Sequence, residues 1–138
     1  MKWLKWIFLT GLLSAATLQA SFAADAKKEP DSYAYYGFEP DIVTNFINKN
    51  KQLGYIRVAI ELRVAHQSQL DEVEHNAPLL RDAIIEILGS QDRQEIISLT
   101  GRERIREQCL KTINNLLRQE TGEQNVVADI LFTKYLYQ

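Results

Sequence analysis

Cysteine occurs once, at position 109, which excludes an internal disulfide and any zinc site built from cysteines. Histidine occurs twice, as His66 and His75, too few to furnish a metal centre, so neither metal nor cofactor is expected. Three prolines and six glycines are too scarce for a low-complexity or collagen-like chain. No glycine-rich phosphate loop, no HExxH and no GxSxG elbow is present. Neither sign of charge prevails: 16 basic residues face 18 acidic ones, for a net charge of −2. This balance argues against a generic nucleic-acid binder, because the phosphate backbone asks for a basic surface. No activated nucleophile stands beside a matched acid and base, so an enzyme is not expected either. What remains is 138 residues, 46% hydrophobic and 25% charged, enough for one domain and not two.

The first residues read as an address. Lys2 and Lys5 form a positive lead, Ile7 to Leu18 an apolar run, and Ser21-Phe22-Ala23 the small residues that signal peptidase inspects. This predicts a signal peptide over 1–23, cut between Ala23 and Ala24. The competing reading is a retained N-terminal membrane anchor, since Trp6 to Ala24 carries no charge and is just long enough to span a bilayer. Either way the rest of the chain crosses the membrane and the lysines stay inside. Cleavage removes two lysines, leaving a charge of 14 − 18 = −4.

Residues 24–40 hold charges, Pro30, Gly37 and three tyrosines (Tyr33, Tyr35, Tyr36) without a clear apolar period, and read as a linker lying against the domain or a partner. The domain is 41–138. Asp41 to Ile47 is short and β-branched, a strand. After a polar turn, Ile56, Val58, Ile60, Leu62 and Val64 alternate with polar or small residues, a strand buried on one face. The two runs should pair as a hairpin. Leu70, Val73, Ala77, Leu80, Ile84 and Ile87 form a helical stripe, with Ser68 and Asp71 near its start and Gly89 at its end. Pro78 either kinks this helix or begins a second one. A short helix follows over 91–99. Thr100 and Glu103 make a capping box for a third, whose stripe is Ile105, Cys109, Ile113, Leu116 and Leu117 and whose end is Gly122. Residues 125–138 read as a strand with Val126, Ala128, Ile130, Phe132 and Leu136 on one face, interrupted by Lys134. The expected class is α+β: a small antiparallel sheet of about three strands with two or three helices on one side.

Few polar residues single themselves out. Arg81-Asp82 reads as an ion pair near a helix start, or as an intersubunit contact. Asn114 stands in an otherwise apolar stretch and reads as a cap for a neighbouring backbone group. Arg102, Arg104, Arg106, Lys111 and Arg118 give the third helix a basic side, offset by Glu103, Glu107 and Glu120. Cys109 reads as a buried structural thiol, with an intermolecular disulfide as the alternative.

Four pieces, in order, resemble the flagellar basal-body-associated FliL family. They are LGYIRVAIELRV (53–64), APLLRDAIIEILGS (77–90), TGRERIREQCLKTINNLL (100–117) and VVADILFTKYLYQ (126–138). The resemblance implies a non-enzymatic protein at the base of the bacterial flagellum. Such proteins have one N-terminal anchor in the inner membrane and a periplasmic domain similar to the stomatin/prohibitin type. That domain forms homo-oligomeric rings about the stator units, and its loss affects swimming, swarming or chemotactic rotation. By position, Arg81, Asp82 and Asn114 become candidate contact residues. Family members usually carry a leucine-rich anchor, whereas this N-terminus reads more like a cleaved signal. A periplasmic binding or regulatory module of the same fold, outside motility, is the alternative.

Overall fold

The computed structural model describes residues 32–47 and 49–138. The expected signal or anchor, its cut at Ala23/Ala24 and the first part of the linker lie outside the described residues. Four strands, β1 (Ala34–Gly37), β2 (Ile42–Ile47), β3 (Leu53–Val64) and β4 (Val127–Tyr137), form one antiparallel sheet. Three helices, α1 (Leu70–Gly89), α2 (Arg93–Ile97) and α3 (Leu99–Thr121), lie between β3 and β4 in the chain. The class is α+β, as the alternation of patterns implies.

β3 organises the sheet because it is long and strictly periodic. Ile56, Val58, Ile60, Leu62 and Val64 are at most 2% exposed, one residue in two along the strand. β4 runs along one edge of β3 for most of its length. The other edge is shared end to end: β2 pairs with Leu53–Val58 and β1 with Glu61–Val64. β1 corrects the linker reading of 24–40. Ala34 and Phe38 are buried at 4% and 3%, and Tyr36 packs beside them. This short alternation has too few apolar residues to register as a strand until the free edge of β3 supplies its hydrogen bonds.

β4 departs from the expected face. Its pairing with β3 slips between Ala59 and Ile60 and again between Arg63 and Val64. Each slip is a β-bulge with one extra residue, Thr133 and Ala128, so side chains beyond it change face. Val127, Ile130, Phe132 and Tyr135 therefore pack inward, while Leu136 is 55% exposed on the outside and Ala128 is exposed. The simple alternation of Val126, Ala128, Ile130, Phe132 and Leu136 does not survive the bulges.

The helices cover the inner face. Pro78 neither breaks nor restarts α1, which is continuous from Leu70 to Gly89. The carbonyl that Pro78 leaves unpaired is that of Glu74. Both residues are on the exposed side of the helix, where water satisfies the group. The stripe Val73, Ala77, Leu80, Ile84 and Ile87 packs on the sheet beside Ile105, Cys109, Ile113 and Leu117 of α3. Caps differ in detail from expectation. Gln69 occupies the N-cap of α1 and its side chain does not cap. Asp92 caps α2, accepting from Glu95 N at 3.0 Å. α3 begins two residues before the expected Thr100, because Ser98 is in extended conformation and its Oγ accepts from Gly101 N at 3.0 Å. Gly122 ends α3 at φ +80°, a conformation that disfavours any side chain.

The opposite face of the sheet carries no helix. There the Asp41 carboxylate accepts from Lys134 Nζ at 3.2 Å and from Arg57 Nε at 2.9 Å. The Lys134 bond, with Arg57 adding to it, holds Asp41 below the usual carboxylate range. A carboxylate held low in the fold stabilises it above the unfolded value, and that contribution vanishes as pH falls through the folded one. Asp41→Asn is therefore expected to lower the urea midpoint at pH 7 and to match the parent near pH 2. A difference of equal size at both pH values would mean that packing, not charge, was lost.

Candidate functional site

Of the three residues singled out in the sequence, Arg81 and Asp82 lie side by side on α1 and Asn114 lies on α3. Asp82 is the thirteenth residue of the twenty-residue α1, exposed, and far from the helix start where the macrodipole acts. The expected end-of-helix role disappears because Pro78 does not begin a new helix. Arg81 makes no ion pair with Asp82 among the described residues. Its guanidinium lies 5.4 Å from the centroid of the Phe38 ring, bracing the turn after β1.

Asn114 joins helix to sheet. Its Nδ2 donates to Val127 O at 2.8 Å and to Leu110 O at 3.3 Å, and its Oδ1 accepts from Val127 N at 3.0 Å. The amide thus gives the first residue of β4 the paired contacts that a neighbouring strand would give. Without it, both polar groups of a residue only 2% exposed would lack partners.

Sequence reasoning missed the remainder of this α3–β4 seam. Arg106 reaches Asp129 Oδ1 with Nη1 at 2.7 Å and binds Glu103 on its own helix. Arg63 approaches the same Asp129 at 3.8 Å. Bonding to Arg106 lowers the pKa of Glu103, and bonding to Glu103 raises that of Arg106. Farther along, the Tyr135 hydroxyl donates to Ile96 O at 3.1 Å while Arg102 lies 4.3 Å over the ring. Burial pushes the Tyr135 phenol up to about 12. The basic residues of α3 looked like a solvated face because nothing in the helix sequence shows that Tyr135 comes under it and that Asp129 comes within reach of Arg106. The bulges in β4 decide that placement.

This seam is a structural latch, and its chemistry is that of fastening. Cys109 is fully buried and its thiol is pushed up to about 12 by burial, so it is no nucleophile. No group of three or more histidine, cysteine, aspartate or glutamate side chains converges on a metal position among the described residues. His66 is exposed in the connection between β3 and α1, and His75 is exposed on α1. Two open clefts lie at the hairpin end of the sheet. One, of 340 Å³, is lined by Lys49, Asp92, Arg93, Gln94 and Ile97. The other, of 560 Å³, is lined by Phe46, Gln52, Leu53, Gly54, Arg93 and Gln138. Asp92, the carboxylate in the first, is already committed to capping α2 and pairing Lys49. Its bond from Glu95 N leads the effects that hold it low, so it stays ionised and is no proton donor near neutrality. No described helix is long and apolar enough to cross a membrane.

Comparison with known proteins supplies what this geometry does not. The chain is 37% identical over 109 residues to "Flagellar protein FliL" of Aquifex aeolicus (strain VF5). The matched stretch covers 79% of this chain and 64% of that protein, so the chain spans less than two thirds of its relative's length. Residues 35–138 match the family described as "Flagellar basal body-associated protein FliL". The match starts inside β1 and runs through all three helices to the end of β4, so it takes in the whole sandwich: the chain belongs to the FliL family of flagellar basal body-associated proteins.

Proposed function

We propose that this protein is a non-enzymatic component of the flagellar basal body that supports the stator units from the periplasmic side of the inner membrane. It works as a homo-oligomer, a ring in the fullest form, and contributes to flagellar rotation, swarming and chemotaxis. The observation that carries this reading is the family match across the folded domain. The export-type N-terminus supports it, as does a domain whose polar side chains serve fastening rather than chemistry. Arg81 and Asp82 are the contact residues to test first, since both lie on one stretch of α1.

The experiment is an in-frame deletion, scored for swimming speed, swarm expansion and torque on tethered cells, with the full chain returned for rescue. Reduced torque or swarming restored by the full chain is expected. Unchanged motility with assembled flagella would overturn the motor role and leave an envelope module outside motility. Intact mass from fractionated cells tests the location. A full-length chain in the inner membrane, or residues 24–138 in the soluble periplasm, fits the proposal. A full-length chain in the cytoplasm contradicts it.

A further inference from the structure

The helix-free face of the sheet holds more than half of the large hydrophobic residues exposed on the described chain, set among charged ones. Of eleven large hydrophobic residues exposed on the described chain, Val43, Ile47, Leu53, Tyr55, Leu131 and Leu136 all point out of this one face, at 38–72% exposure. Exposed apolar side chains clustered on one face in this way mark a contact with another macromolecule. The charges among these side chains decide which. Arg57, Arg63 and Lys134 bring three positive charges and Asp41, Glu61 and Asp129 three negative ones, so the net is 3 − 3 = 0. Five of the six charges belong to ion pairs centred on Asp41 or Asp129, all but Glu61, and Asp129 is also held from the α3 side by Arg106. A neutral face has nothing to attract anionic headgroups or nucleic acid. It does meet the condition for an isologous contact, in which identical faces meet and any net charge would repel itself.

We propose that this face packs against the same face of a second copy, giving a two-sheet sandwich with helices on both outer sides. Three strands at about 4.8 Å by twelve residues at about 3.4 Å make a face of about 600 Å². Two such faces bury about 1,200 Å², the lower end of specific protein interfaces. The pair is thus weak in dilute solution and populated where copies are concentrated. This pairing concerns the domain alone and does not rest on the motor role. It leaves α1, α3 and the free edge of β4 available to other partners.

Cross-linking of the full chain in cells tests it. A two-fold axis lying in the interface plane passes near the centre of the face. Ala59, midway along β3 in the middle lane, therefore meets its own copy whichever way the axis runs. Cys109 is buried and stays unreactive. With a short, membrane-permeant bis-maleimide, Ala59→Cys is expected to give a band at twice the chain mass. Glu107→Cys, exposed on α3, should give none. Adding Leu53→Lys and Leu136→Lys to Ala59→Cys should abolish the band, since four added positive charges are then brought onto the two facing surfaces. Both leucines are more than half exposed, so their replacement leaves the core alone. Leu79→Lys on α1 should leave the band unchanged. Absence of the doubled band, equal cross-linking from Glu107→Cys, or a product with a different protein would each overturn the pairing. Loss of motility on deletion without the doubled band would sink this inference and keep the motor role. The converse result would do the opposite.

Discussion

Gly101→Ala is expected to destabilise the domain by about 2 kcal/mol, although alanine is the better helix former. At an ordinary helical glycine the change would gain up to about 1 kcal/mol. Here an added Cβ would stand 2.1 Å from Glu95 O and 2.6 Å from Glu95 Cα. Those atoms belong to the backbone of α2, which cannot rotate aside as a side chain would. The whole short helix has to shift, and overpacking of this kind costs about 1–3 kcal/mol, with a rigid neighbour placing it near the top of the range. The shift also pulls Ile96 O from the Tyr135 hydroxyl and Glu95 from Arg104. Urea unfolding of the two proteins measures the difference, with exposed Gln108→Ala on the same helix as control. Control and parent should agree within about 0.5 kcal/mol. A rise in stability at Gly101→Ala would mean that α2 is not held against α3 as described.

Asn114→Ala is expected to cost about 3 kcal/mol. The substitution strips partners from both the N–H and the carbonyl of Val127, each left bare in a nearly dry site at about 1–3 kcal/mol. Asn114→Asp separates the two bonds. A carboxylate still accepts from Val127 N but cannot donate to Val127 O, and at neutral pH the two oxygens repel. Its stability should fall between parent and alanine variant, with protection of the Val127 amide retained. Hydrogen exchange at Val127 reads this directly: fast in Asn114→Ala, slow in the parent. If the Val127 amide were equally protected in the alanine variant, the start of β4 would be held by something other than this side chain.

These two positions show how differently two neighbouring features of α3 can be read. Asn114 announced itself because an amide amid leucines and isoleucines needs a buried polar partner. What it would cap was hidden thirteen residues away. Gly101 stood in a familiar-looking TGRER stretch and gave no sign that a second helix lies against its Cα, since a missing Cβ carries no pattern. Arg81-Asp82 misled for a related reason. Pro78 looked like a helix start, but the Glu74 carbonyl that it leaves unpaired lies on the exposed side of α1, so the helix runs through and the pair falls in mid-helix.

The strictly local features followed from the chain itself. The period of two in β3 and the three-and-four spacing in α1 and α3 state which side chains must leave water. That requirement acts residue by residue and forces the α+β class. The single cysteine likewise leaves no material for an internal disulfide. Only the tertiary structure decided the rest. β1 becomes a strand because β3 has a free edge, and β4 turns Tyr135 inward and Leu136 outward because two bulges let it follow β3. Arg106 and Asn114 become fastenings because β4 returns beneath α3. Each of these depends on contacts between residues far apart in sequence, whose free energy exists only once the chain has closed around them.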